Sequence, residues 1–555
     1  METARRIRRS RIVRDVFDSA LSGVRLLLGR GVHLGSLPAV LAARFGERPA
    51  VECGLAVPGF GDRTSWTYAA LESAVATLAG AQRAAGVGEG DVLLVALPNR
   101  LDALLHLFAA ARLGAVACPV NARLKRSEFD AVVVAAGATA ALLDGDVLAR
   151  LTADQPWADL RLLTTEGPAP SILDGLAAAP VAAVDRDPDA VVVTLCTSGT
   201  TGTPKAAALT SRGLLGGPGR VRLPVTRKRD GTARYRLLAA LPLYHVMGIG
   251  TALGALCAGA ELVLRERFVA ADILDVLERG RVRAFVGVPT MYADLEAAGA
   301  EKRNLSFVRL WVSGADAMPA DRARRFQRFG AVATVGRRRL GTAAFVDVYG
   351  MVELSGGAAV RIYPFSVAAR FHLPVPAVVL PGIHVRAVDE SGAPVRWGRR
   401  GELQFRGTSV LREYRGRRDV GPDDEGWFAT GDYGRVLPAG AFVFAGRSRD
   451  RLKVGGFSVF PAEVETILEG HPEVAEVALV GVPDERLGDR PVAVVVPRHD
   501  TFPDEAFLRW AHERVAGYRR PREVVVVDEI PRGGNGKIDR PGATRLAVQG
   551  GGGPR

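Results

Sequence analysis

The sequence predicts a layered α/β protein with a second, smaller domain, and three observations carry that expectation. Strand-like apolar runs alternate with helical patterns through the middle of the chain, the alternation from which largely parallel sheets are built. Its 555 residues exceed what one hydrophobic core organises. Near Gly446 the texture changes: a charged stretch precedes a compact α+β pattern, which reads as a small, mobile C-terminal domain.

Residues 1–30 form a basic extension. Arg5, Arg6, Arg8, Arg9, Arg11 and Arg14 lead into Val13, Val16, Phe17, Ala20, Leu21, Val24, Leu27 and Leu28, which recur at helical spacing. Asp18 and Arg25 interrupt the apolar part, which argues against a cleavable signal peptide. Such a helix either packs its stripe on the body of the protein or lies on an anionic membrane surface.

The large domain is expected over residues 31–448, as layered α/β subdomains. Val- and Leu-rich runs at 237–241, 261–264, 284–288 and 308–312 read as buried strands, and residues 271–279 and 319–329 as helices between them. The small domain, 449–545, reads as helix 461–469, strands 474–482 and 492–496, helix 504–515 and strand 523–527. Residues 546–555, with a glycine run from Gly550, read as a disordered tail.

Bulk properties exclude several classes. A composition 48% hydrophobic and 24% charged describes an ordinary globular protein. Uncharged apolar runs fall short of the roughly 18 residues that span a bilayer. Cys53, Cys118, Cys196 and Cys257 form no metal or disulfide pattern, so a reducing cytoplasm is the expected compartment, with the inner membrane surface as a peripheral alternative through residues 1–30. The net charge of +13 favours acidic partners, but no aromatic-interleaved basic strand or finger pattern reads nucleic acid.

The chemistry concentrates in residues 197–205, Thr-Ser-Gly-Thr-Thr-Gly-Thr-Pro-Lys, directly after an apolar run. Glycines let backbone N–H groups turn toward an anion, hydroxyls add donors, and Lys205 adds a point charge. This is a polyphosphate cradle. It is not the Walker loop, because Pro204 precedes the lysine and no helix-opening Gly-Lys-Ser/Thr follows. Lysine is rare here: of 73 basic residues only Lys125, Lys205, Lys228, Lys302, Lys453 and Lys537 are lysines. Lys205, Lys453 and Lys537 sit in glycine-rich contexts, where a compact flexible ammonium does what a planar guanidinium does not.

These motifs and the two-domain division resemble the adenylate-forming superfamily, which includes acyl-CoA synthetases, adenylation domains of peptide synthetases and luciferases. The likeness runs from about residue 30 to 545, with the motifs in the family's order. It implies that Thr197, Ser198, Gly199, Thr200, Thr201, Gly202 and Lys205 hold the phosphates of ATP. It implies further that Leu241-Pro242-Leu243-Tyr244-His245 lies where the acyl pocket meets the thiol channel, and that Gly314, Ala315 and Asp316 lie against adenine. Tyr349 and Gly350 belong to the motif that stacks on adenine, with Glu353, and Thr200 of the phosphate loop, holding Mg²⁺. Asp432 and Arg447 are expected at the ribose and Arg449 at the domain hinge. Lys453, Gly455 and Gly456 should line the thiol channel, and Lys537 should act in adenylation. Catalytic roles thus fall to Lys537, Lys205 and His245, although His245 viewed alone also fits a core histidine.

The implied reaction converts a carboxylic acid and ATP to acyl-AMP and pyrophosphate, then transfers the acyl group to coenzyme A with release of AMP. The alternative acceptor is the phosphopantetheine of an acyl carrier protein, and a third reading is an inactive acyl- or nucleotide-binding protein. Amino-acid-activating relatives carry an aspartate after the His245 segment; here Val246-Met247-Gly248-Ile249-Gly250-Thr251 offers no acid, and an uncompensated ammonium is costly to bury. Gly248, Gly250, Ala252, Gly254 and Ala255 are read as leaving room, with Met247, Leu253 and Val288 as apolar walls, so a medium- or long-chain fatty acid is expected ahead of an aryl acid. Two departures stand out. Val352 replaces the usual threonine, and a basic insert spans Gly336-Arg337-Arg338-Arg339-Leu340-Gly341, read as a surface loop or a carrier-docking contact.

Overall fold

The computed structural model describes residues 32–152, 157, 159–166, 170–197, 204–216, 235–335, 338–363, 375–417, 420–499, 501–515, 517–533 and 537–550. The N-terminal extension and Ser198, Gly199, Thr200, Thr201 and Gly202 therefore lie outside the described residues.

The large domain is built on two main sheets. One runs in the order Glu413–Tyr414, Lys205–Thr210, Val191–Thr197, Val116–Pro119, Val92–Ala96, Ala140–Leu143, Arg161–Thr164. The other begins at Ser65–Thr67 and Pro49–Cys53 and continues in parallel through Glu261–Leu264, Arg236–Ala239, Ala284–Gly287, Leu310–Gly314 and Ala344–Met351. These parallel strands bury both faces under helices, which is why they read as continuous Val/Leu/Phe runs.

Beyond Ala344–Met351 the direction alternates. Gly356–Ile362, Ala377–Val379, Ala441–Arg447, Phe428–Val436, Arg400–Gly407 and Ile383–Val388 each pair antiparallel with the next. The expectation of largely parallel sheets thus holds for half of this sheet only. The antiparallel strands show an alternating burial pattern, as in Arg400–Gly407, where the buried residues are Gly401, Leu403 and Phe405. The switch falls at the hairpin carrying Tyr349, Gly350 and Glu353.

Strand Ala441–Arg447 leads into a 3₁₀ turn, Ser448–Asp450, and then into the small domain. There Gly488–Pro497 pairs with Val474–Asp484, Leu452–Val454 and Glu523–Val526, and Pro461–Leu468 and Asp504–Arg514 cover a core of Val464, Leu468, Val477, Leu479, Val495 and Phe507. The expected tail is shorter than 546–555. Arg540–Gly550 is a helix with Ala543 and Ala547 buried against Val480 and Val494, so apolar packing carries the order up to the glycine run.

Two further expectations change in the fold. Leu253, Ala252 and Ala255 are fully buried packing residues of the helix Val246–Cys257. Gly248 exists for close approach: a Cβ there would stand 2.0 Å from the Pro242 carbonyl oxygen. The partly exposed residues of that helix are Val246 at its start and Met247, Gly250, Thr251 and Gly254, spaced along one face. Of the basic insert, Gly336 and Arg337 lie outside the described residues, while Arg338–Leu340 pairs antiparallel with Ala333–Val335 and leads into the N-terminal end of Ala344–Met351. It stands at the opposite end of that strand from Tyr349.

Candidate active site

The site forms where strands end. Leu310–Gly314 and Ala344–Met351 run parallel with Gly314 beside Val348, so Gly314, Ala315 and Asp316 come to lie next to Tyr349 and Gly350. Gly314 suits the position because a Cβ would sit 3.1 Å from the Val348 carbonyl oxygen and 3.3 Å from Met247 Cε. Ala315 takes a φ of 70°, a left-handed conformation that costs an alanine about 1 kcal/mol or more. Strain held at a strand end is a functional signature.

Tyr349 is fixed on three sides. Its ring stacks on Phe405 at 5.5 Å and meets Phe442 edge-on at 5.2 Å, while its hydroxyl donates to Asp432 Oδ2 at 2.7 Å. Asp432 is 3% exposed and sits opposite Arg447 across the antiparallel pair, with Oδ1 3.4 Å from Arg447 Nε. Burial pushes the Asp432 carboxyl up, opposed by Arg447, Tyr349 and Lys537.

Lys537 comes from the small domain. Desolvation pulls its ammonium down, Arg447 pulls it further, and Asp316 and Asp432 pull it back up. His245 is exposed, stacks obliquely on Tyr244 at 4.6 Å, and is held below the ordinary imidazole range by desolvation and then by Lys537. The charge of Lys537 is thus felt at His245, which separates it from the core histidines. His106 is a true one: 2% exposed, bonded to Gln82 and lowered to about 3 by burial.

At the phosphate-loop side, Thr197 and Lys205 close a β-ladder as register partners. Tyr414 on the next strand donates its hydroxyl to Glu353 Oε1 at 2.7 Å, and Lys205 Nζ lies 5.6 Å over the Tyr414 ring. A lysine, a phenol and a carboxylate thus form one linked group.

Lys453, Gly455 and Gly456 occupy a different place. Gly455 and Gly456, both at positive φ, form the exposed turn between Leu452–Val454 and Phe457–Val459, and Lys453, exposed in the first of these strands, donates its N–H to Asp489. In this arrangement the charge beside His245 is Lys537. Arg449 is 59% exposed and lies 3.6 Å from Asp450.

Sequence reasoning missed three contributors. Tyr414 carries no motif of its own. Asn99 donates to the carbonyls of Leu241 and Arg265 and accepts from Leu243 N–H, pinning the backbone that presents Tyr244 and His245. Asp347, 6% exposed, lies beside Ser313 across the parallel strands, and burial pushes its carboxyl up to about 6. Asp347 Oδ1 and Ser313 Oγ are buried without hydrogen-bond partners. Its signal was local and visible, an acid inside a Val/Phe strand two residues before Tyr349.

A nucleotide fits this constellation. Orphaned buried acceptors flank the Gly314 turn, and Asp432 and Arg447 project from the adjoining strands. Among the described residues no group of three or more His, Cys, Asp or Glu side chains could hold a metal alone. A cation at Glu353 would need the oxygens of a bound polyphosphate. Among the described residues no helix is long and apolar enough to cross a membrane, and all four cysteines are free thiols.

The profile of the AMP-binding enzyme family matches residues 39–415, and that of its C-terminal domain residues 463–537. The chain is 34% identical to a feruloyl-CoA synthase of Amycolatopsis over 86% of its own length and 92% of the relative's. It is 31% identical to an indoleacetate–CoA ligase of Aromatoleum aromaticum, over 93% and 97% of the two chains. The ATP-bound structure of MatB from Rhodopseudomonas palustris matches with a TM-score of 0.77 at 26% identity, covering 93% of this chain and 99% of that one. The chain belongs to the AMP-binding enzyme family and is an acid–thiol ligase.

Proposed function

We propose that this protein activates an apolar-tailed carboxylic acid with ATP and passes the acyl group to coenzyme A. The observation that carries the reading is Tyr349 bonded to Asp432 opposite Arg447, with the linked Lys205, Tyr414 and Glu353 on the phosphate-loop side. A carboxylate oxygen attacks the α-phosphorus, the bond to the β-bridging oxygen breaks, and pyrophosphate leaves with its electron pair. Lys537 and Lys205 neutralise charge on the transferring and departing phosphates, and Asp432 and Arg447 hold the ribose. Mg²⁺ held by Glu353, Thr200 and the phosphate oxygens would supply further charge neutralisation. In the second step a thiolate attacks the acyl carbonyl and AMP leaves.

The aromatic acids in the relatives' names support an aryl or arylalkenyl tail ahead of the fatty chain expected from sequence. The fully buried Ala252, Leu253 and Ala255 remove part of the argument for a long chain. The basic strand Arg338–Leu340, standing away from Tyr349, gives the carrier-protein acceptor no support.

Purified protein with Mg²⁺, ATP, CoA and a panel of hydroxycinnamic, arylacetic, benzoic and fatty acids tests this by mass spectrometry of acyl-AMP and acyl-CoA. Acid-dependent acyl-CoA is expected, with the aryl acids turned over fastest. Acyl-AMP that moves only to a phosphopantetheinylated carrier protein would overturn the CoA assignment, and no AMP release with any acid would overturn the enzyme reading.

A further inference from the structure

Arg400 and Glu463 join the two domains away from the reacting groups. Arg400 opens the strand Arg400–Gly407 of the large domain, and Glu463 lies in the first turn of Pro461–Leu468 in the small one. Arg400 Nη2 is 2.6 and 2.9 Å from the two carboxylate oxygens. The same guanidinium lies 4.9 Å over the Phe460 ring, and Phe460, 1% exposed, packs on Tyr433 of the large domain at 5.3 Å. Arg519 of the small domain stands 3.1 Å from Glu463 Oε2, so the carboxylate is shared by one cation from each domain.

This joint lies close along the chain to a second ion pair that reaches the segment carrying Lys537. Two residues beyond Glu463, Glu465 accepts from Arg540 at 2.8 and 3.0 Å and from Leu479 N–H at 2.7 Å. Arg540 also lies 3.4 Å from Asp450 in the interdomain turn, and it stands three residues after Lys537. Arg400 and Glu463 are mostly buried, with exposures of 26% and 20%, so the pair is less screened than a surface bridge.

We propose that Arg400 and Glu463 are positioning residues for Lys537: their pairing seats the small domain so that the lysine ammonium stands beside Asp316 and Asp432. The proposal rests on the reading that Lys537 serves acyl-AMP formation. Arg400 touches no reacting atom, so its effect is confined to the step that needs the lysine.

The test measures two half-reactions separately: acid-dependent ATP–pyrophosphate exchange, and thioester formation from synthetic acyl-AMP and CoA. Arg400→Ala is expected to slow exchange about tenfold or more, as for loss of a hydrogen bond between charged groups, and to leave thioester formation within a factor of about three. Arg400→Lys should recover part of the exchange rate. In a Glu463→Gln background Arg400→Ala should add little, because the shared interaction is already gone. Equal loss in both half-reactions, or none in either, would overturn the proposal. Strict additivity of the two substitutions would overturn it as well. Wild-type protein that shows no exchange with any acid would instead bring down the functional reading on which it rests.

Discussion

Tyr349 donates a 2.7 Å hydrogen bond to Asp432, a carboxylate 3% exposed, and so ties the hairpin beside the Gly314 turn to the antiparallel strands. The two residues are 83 positions apart, and the strand register that sets Asp432 against Arg447 completes the contact. Tyr349→Phe keeps the ring contacts to Phe405 and Phe442 but leaves a buried carboxylate short of a donor. A stability loss of about 1–3 kcal/mol is expected in urea denaturation, with a raised KM for ATP. Unchanged stability would show that Arg447 alone satisfies Asp432.

Lys537→Ala should abolish acyl-AMP formation while sparing thioester formation from supplied acyl-AMP. The two steps separate in the half-reaction assays above, and equal loss of both would remove the assigned role.

The lowered pKa of Lys537 also fixes a pH dependence. In the proposed role the ammonium is the active form, present below its folded pKa and lost as pH rises through it. Acyl-AMP formation should decline on the alkaline side earlier than an unperturbed lysine would dictate. A rate–pH profile flat to the ordinary lysine range would contradict the desolvated position of this group.

Glu353→Gln should cut exchange activity sharply and shift its Mg²⁺ dependence to higher concentration, and Tyr414→Phe should do so more weakly. The hydroxyl at Glu353 Oε1 orients the carboxylate without carrying its charge. Titration of activity against Mg²⁺ distinguishes the two. An unaltered Mg²⁺ requirement in Glu353→Gln would displace that residue from the cation.

Asp347 has a folded pKa raised to about 6, above its unfolded value, because ionisation is costly where the side chain is buried. The ionised form therefore weakens the fold above about pH 6, and the penalty fades as pH falls toward the unfolded pKa. Asp347→Asn should stabilise the free protein by about 1–3 kcal/mol at pH 8 and by little near pH 4. Melting curves at the two pH values decide it, and a gain independent of pH would point to packing instead.

The family was legible because its motifs are short runs in a fixed order, of which the Thr/Ser/Gly run closed by Lys205 also states an anion-binding chemistry by its residue types. The strands over 237–312 were legible for a similar reason: buried on both faces, they carry an unbroken apolar signal. Tyr414, Asn99 and Arg400 gave no such signal. Each works through a partner at least 61 positions away, and only the sheet order brings them together. Of the small residues of Val246–Cys257, Gly248, Ala252 and Ala255 were misread for the converse reason. Small size reads equally as an open pocket or as close packing, and the Pro242 carbonyl 2.0 Å from a would-be Gly248 Cβ decides for packing.

By itself the sequence determined the layered α/β class, the two-domain order and the family, because those depend on local periodicity and on short motifs. The tertiary structure decided which side chains come together: Lys537 rather than Lys453 beside His245, Tyr349 on Asp432, Tyr414 on Glu353, and Arg400 on Glu463. These choices depend on strand register and on how one domain seats on the other. Both are set by long-range burial and charge pairing that no short stretch of sequence encodes.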